Sequence, residues 1–267
     1  MRIRPGNGLY LRLLNVLSVL SISSVAVRAE NSTQPPPSYE FPRSLNADIY
    51  TGDRKELLFK FPRAAEVSGS RLKVERLFSY PDGKLAARES VVYDKNALVS
   101  FELEDAQTGA KGSATIRHPT NATAKAELQI RYAKTDGGRP KVRTETLREN
   151  TLVADMVGTF LTSNWDALKR GEKVKCRLIV TSRVETVGFT FERDSEAKLN
   201  GNEVLLVKME PGSPIISALI HPLWFTMEQM PPHRVLEYLG RTTPKLQVDG
   251  KWKDLEALTV FDWKTAK

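Results

Sequence analysis

One cysteine and three histidines stand among 267 residues. A single thiol excludes an intrachain disulfide framework. Cys176 keeps phase with Val174, Leu178 and Val180, so it reads as a buried strand residue rather than a nucleophile. His118, His221 and His233 form no metal-ligand spacing such as His-Glu-x-x-His, and neither a glycine-rich phosphate loop nor a nucleophile elbow occurs. No metal and no cofactor is therefore expected. His118 precedes Pro119 and His233 follows Pro232, which puts both in loops. His221 lies inside an apolar run and is the one histidine placed to face a polar ligand group. Glu102 and Glu104 share a strand face, as acid and base groups would, but they equally form the wet face opposite Phe101 and Leu103.

Blocks of one charge sign are also missing. Basic and acidic residues interleave, as in Lys73-Val74-Glu75-Arg76 and from Arg139 to Glu149, which argues against a nucleic-acid groove. The formal charge of +8 falls once the first 29 residues are set aside, because they hold four arginines and no acid. That leaves 36 basic against 32 acidic residues, a net charge of about +4.

A long apolar run exists only at the start. Arg2, Arg4 and Arg12 precede the run from Leu13 to Val27, which ends in Val27-Arg28-Ala29. This is the pattern of a secretory signal peptide, residues 1–29, cleaved after Ala29. A retained membrane anchor is the alternative, but a run of about fifteen residues, rich in serine, is short of the roughly 20 that a spanning helix needs. No later segment is long and apolar enough to span, so no membrane span is expected in the mature chain. Residues 30–46, with Gln34-Pro35-Pro36-Pro37, read as a flexible leader, and 47–267 as a single β-rich domain.

Period-two alternation dominates that domain. Val99, Phe101 and Leu103 alternate with Ser100, Glu102 and Glu104, and Ala126, Leu128, Ile130 and Tyr132 with Glu127, Gln129 and Arg131. Tyr80-Pro81-Asp82-Gly83-Lys84 is a hairpin turn joining strands near 72–78 and 86–93. Asp94-Lys95-Asn96 and Gln107-Thr108-Gly109 supply further turns, and the regular spacing predicts an antiparallel meander. Alternation resumes at Val174, then at Val187, Phe189 and Phe191, then from Val204 to Met209. The apolar stretch from Ile215 to Phe225 predicts either a central strand or the lip of a pocket, and Leu236, Tyr238, Val260, Phe261 and Trp263 mark the last strands.

One helical stripe interrupts the strands. Leu152, Val153, Met156, Val157, Phe160, Leu161, Trp165 and Leu168 recur at three-to-four spacing. Ser163-Asn164 is placed to cap a second start, and Gly171 to end it, so the segment near 151–170 predicts two short helices, from about Leu152 to Leu161 and from Trp165 to Arg170. The fold class expected is mainly β: a single curved antiparallel sheet or half-barrel covered by one or two short amphipathic helices.

The segments Asn150-Thr151-Leu152-Val153, Asn164-Trp165-Asp166-Ala167-Leu168, Gly171-Glu172-Lys173-Val174 and Arg183-Val184-Glu185-Thr186-Val187-Gly188-Phe189 resemble an uncharacterised family of exported bacterial proteins. Tyr80 to Glu89 and Val99 to Glu104 fit the same group, so the likeness covers most of the mature chain, with Cys176 and Met230-Pro231-Pro232 as local departures. The resemblance implies a periplasmic protein. That family is similar in layout to half-barrel proteins that carry lipids or lipoproteins across the periplasm, a likeness of fold alone.

Three functions follow as expectations. A periplasmic binder of an apolar or lipid-like ligand would hold it between helix and sheet, against Phe160, Trp165, Phe189, Phe191 and Trp224. A structural or partner-binding envelope protein would use an exposed strand edge or apolar patch. A hydrolase would have only His221 to build on. The first is the reading we carry forward, with no catalytic residue assigned.

Overall fold

The computed structural model describes residues 42–119, 125–135, 137–212 and 222–266. The signal peptide, most of the leader, and Ile215 to His221 lie outside the described residues.

Among these residues fifteen strands form one sheet. β1 (Ser44–Tyr50), β2 (Leu57–Ser68), β3 (Arg71–Ser79), β4 (Leu85–Asp94), β5 (Ala97–Asp105), β6 (Ala110–Arg117), β7 (Glu127–Ala133) and β8 (Lys141–Thr146) step outward from the centre as a meander. β9 (Thr151–Leu152) starts again at the opposite edge, and β10 (Val174–Val180), β11 (Glu185–Leu199), β12 (Asn202–Pro211), β13 (Leu223–Glu228), β14 (Val235–Val248) and β15 (Lys251–Asp262) step back inward. The series meet where β15 pairs with β1, Asp48 opposite Val260. Every ladder is antiparallel except the short one between β9 and β10. β1 begins within the span read as leader, since Ser44 to Asn46 already pair with β2.

The turns follow from local chemistry. Gly83, at φ +89°, donates to the Tyr80 carbonyl at 2.9 Å, and Asp82 Oδ1 accepts from the Lys84 amide at 2.9 Å. Lys95-Asn96, Asn200-Gly201 and Asp249-Gly250 each place two consecutive residues at positive φ, the geometry that matches the twist of a two-residue hairpin.

The sheet is curved and open, and side chains tie it across the curve. A register shift in β14 between Arg241 and Lys245 frees Thr243 to donate to Glu89 of β4 at 2.5 Å, while the Lys245 amide donates to Gln107 Oε1 at 2.7 Å. Near the two open edges, Thr186 accepts from Arg177 Nε at 2.9 Å and donates to Glu145 of β8 at 2.5 Å. Gly112 of β6 sits so close to Thr181 that an added Cβ would come within 2.6 Å of its hydroxyl.

The helical segment corrects the expectation at its start and meets it at its end. Leu152 is not helical: it pairs with Leu178 as β9, and Val153 is extended at φ −100°, ψ 167°. Edge pairing outcompetes the helical spacing there. A 3-10 turn, Ala154–Met156, leads into α1 (Val157–Ser163) and α2 (Trp165–Lys169). Asn164 separates the two helices, but its side chain donates back to the Phe160 carbonyl at 2.8 Å instead of capping α2. Gly171 ends α2 at φ +81°, with its amide on the Leu168 carbonyl and that of Glu172 on the Ala167 carbonyl, a Schellman closure.

Three apolar clusters fill the concave side. One joins the helices to β10–β13, one gathers β3–β7 around Val153 and Val184, and one surrounds the β1–β15 seam. Met156 touches the first two, so the helical segment is wedged between the halves. No helix among the described residues is long and apolar enough to cross a membrane.

Candidate functional site

A cavity of about 160 Å³ lies where the wedge, the central seam and β12–β14 face one another. Leu45, Ala47 and Ile49 of β1 project into it because alternate residues of a strand share a face, and Phe61 and Phe78 extend that wall. Met209, Leu223 and Phe225 form the facing wall, and Ala154, Val157 and Gly158 of the wedge close one side. Polar groups gather in one part of the lining: Arg63, Arg76, Asp155, Arg241, Thr242, Thr243 and Thr259.

Asp155 anchors that polar end. Its carboxylate accepts from Arg63 Nε at 2.7 Å and Nη2 at 3.2 Å, and from the Tyr93 hydroxyl at 2.8 Å, with Arg76 Nε at 4.0 Å. Burial by itself would raise the Asp155 pKa, but the Arg63 charge and hydrogen bonds, aided by Arg76 and Tyr93, outweigh it and hold the carboxyl below its ordinary value. Burial, together with the Asp155 charge and hydrogen bond, pushes the Tyr93 phenol well up. Arg76 donates to Glu89 at 2.6 Å and lies over the Phe61 ring at 4.8 Å, while Phe61 stacks on Phe78 at 4.5 Å. Every fully buried side-chain nitrogen or oxygen among the described residues has a partner.

None of the five residues expected to line a pocket lines this one. Phe160, Trp165, Phe189 and Phe191 pack in the core beside it: Phe160 meets Phe191 at 5.9 Å, Phe191 meets Phe225 at 5.7 Å, and Trp165 stacks on His233 at 4.0 Å. Trp224 alternates with the buried Leu223 and Phe225 and so faces the other side of β13, opposite Leu239. The space lies one helical turn earlier than expected, beside Val157 and Gly158.

The other candidates fall out simply. Glu102 and Glu104 are exposed. His118 and His233 are in loops, and His233 also faces the Glu228 carbonyl with Nδ1 at 3.3 Å. Cys176 is buried, which pushes its thiol up to about 12. No group of three or more potential metal ligands occurs among the described residues.

The residues that sequence reasoning missed are Arg63, Arg76, Glu89 and Asp155. A signal for two was present: Arg63 keeps phase with the buried Phe59 and Phe61, and Glu89 with Ala87, Val91 and Tyr93. A charge at a core-phase position of a strand must be paired, and so marks a buried network.

No known family profile matches the chain, and neither does any curated protein. Among solved structures, a β-barrel-like protein of the DUF1849 domain of unknown function from Brucella abortus aligns over 82% of this chain and 92% of its own, at 8% identity and a TM-score of 0.37. A protein from Bacteroides fragilis, described as a candidate exported protein with a YmcC-like fold, aligns over 83% and 96%, at 9% identity and a TM-score of 0.31.

Proposed function

We propose that this is an exported, periplasmic, non-catalytic protein that holds an apolar or lipid-like ligand in the concave side of its sheet. One observation carries the reading: a largely apolar, partly open cavity of about 160 Å³ lies between the wedge, the central seam and β12–β14. That volume is close to one that accepts a benzene-sized molecule. It therefore fits a ring or several methylenes, and the rest of a larger ligand or a longer chain would extend beyond it. Export rests on the arginine-led apolar run before Ala29.

The test is titration of the purified protein with the apolar fluorophore N-phenyl-1-naphthylamine. Saturable one-to-one binding is expected. Ala154→Phe places a ring in the cavity from an exposed position on the wedge and should weaken binding at least tenfold with an unchanged circular dichroism spectrum. Absence of saturable binding, or equal binding by this variant, overturns the reading.

A second reading, a structural or partner-binding envelope protein, draws on β8. It ladders only with β7, and all its residues but Glu145 are exposed, including Val142. Such an edge accepts an added strand, although Lys141 and Arg143 work against it. Stoichiometric capture of one envelope protein, with no fluorophore binding, would favour this reading.

A further inference from the structure

The cavity is amphipathic, and each cation that lines it has a carboxylate partner. Three guanidinium groups, Arg63, Arg76 and Arg241, line it against one carboxylate, Asp155. Glu89 and Asp254, which pair with Arg76 and Arg241, are not part of the lining. Arg63 is committed to Asp155 through two donors and to the Pro42 carbonyl through a third at 2.9 Å.

Arg76 differs. A guanidinium carries five N–H donors. One nitrogen of Arg76, Nη1, bonds Glu89, and Nε stands 4.0 Å from Asp155, at the edge of ion-pair contact. The side chain retains 11% of its accessibility inside the fold, and it lines the cavity. Phe61 and Phe78 lie 4.8 and 5.7 Å from it, so the guanidinium rests against two rings while it also lines the cavity. The apolar wall of Leu45, Ala47, Ile49 and Phe225 continues away from it.

We propose that Arg76 binds the carboxylate of a fatty-acid-like amphiphile whose chain occupies the apolar part of the cavity. This rests on the reading of the cavity as a ligand site. A planar fork matches a carboxylate in two parallel hydrogen bonds. A single negative charge suits the place better than a double one, because Asp155 and Glu89 both lie within 4.0 Å of Arg76. Its bond to Glu89 and the two neighbouring rings hold the Arg76 side chain in place before the ligand arrives, so little rotamer freedom is lost on binding.

Displacement of N-phenyl-1-naphthylamine from the full chain tests this with three competitors of equal chain length: dodecanoate, 1-dodecanol and dodecyl phosphate. Dodecanoate should displace the probe at concentrations about tenfold lower than 1-dodecanol. In the paired variant Arg76→Gln with Glu89→Gln, which removes both charges together, that preference, read as the ratio of the two displacing concentrations, should shrink to less than threefold. Arg76→Lys leaves Glu89 its counter-charge but loses the fork, and should lower the preference severalfold; should the paired variant fail to fold, this variant carries the test. Equal displacement by dodecanoate and 1-dodecanol in the unaltered protein overturns the Arg76 assignment and leaves the apolar site standing. Failure of the probe to bind overturns the site itself. Stronger displacement by dodecyl phosphate overturns the carboxylate in favour of a phosphate headgroup.

Discussion

Asp155→Asn tests the buried network most directly. The substitution keeps the shape of the side chain and one acceptor for Tyr93, but it removes the charge that faces Arg63, whose side chain is only 4% exposed. Breaking a buried ion pair from one side costs about 3–5 kcal/mol, and about 1 kcal/mol moves the Tm of a domain this size by about 2–4 °C, so a fall of about 6–20 °C is expected. Arg63 keeps its bond to the Pro42 carbonyl, which favours the lower half of that range. Acid should separate the variant from the parent further. The Asp155 pKa lies below its ordinary value of 3.8, so the stabilisation is complete above that value and is lost as pH falls below it through the folded-state pKa. Asp155→Asn should remove this part of the acid-induced loss, and the Tm difference should narrow as pH drops below about 3.8. Thermal and urea unfolding followed by circular dichroism at pH 7 and at pH 3 measure both effects. A Tm within 2 °C of the parent at pH 7 would refute the view that this pair secures the wedge.

Two further outcomes follow from the packing. Gly112→Ala sets a Cβ 2.6–2.7 Å from Thr181 side-chain atoms and should cost about 1–3 kcal/mol in urea unfolding, with Thr181→Ala in the same chain recovering most of it. Cys176 should resist iodoacetamide at pH 8 in the native state and react fully in 6 M guanidinium, since burial holds its thiol up to about 12; fast native labelling would contradict the buried placement.

The strands were readable where alternation met a turn with a mechanism. Pro81-Asp82-Gly83, Lys95-Asn96 and Gly109 all mark hairpins between strands whose wet and dry faces alternate. β2 escaped because its core phase reads Phe59, Phe61, Arg63, with a proline between the last two, and neither a buried arginine nor an in-strand proline fits the usual pattern. β8 escaped because five of its six residues are exposed, which leaves no alternation to read. Leu152 obeyed helical spacing by accident: β10 offered it a ladder, and pairing won over propensity. The gap lies apart from the largest aromatic side chains for a related reason: Phe191, Phe189 and Trp165 are large enough to fill their own space, and it opens beside the small Ala47, Ala154 and Gly158.

The β1–β15 seam has a consequence for the order of assembly. β15 is the neighbour of both β1 and β14, so β1–β8 and β9–β14 share no ladder until residues 251–262 have been made. During synthesis the two series are separate meanders, one ending in the unpaired side of β1 and the other in the unpaired side of β14. The final strand acts as a keystone: its contacts span nearly the whole described chain, which places closure among the slow, long-range steps of folding. A chain stopped before Lys251 carries two exposed edges at the centre of what would have been one sheet, and those edges are its points of entry for aggregation.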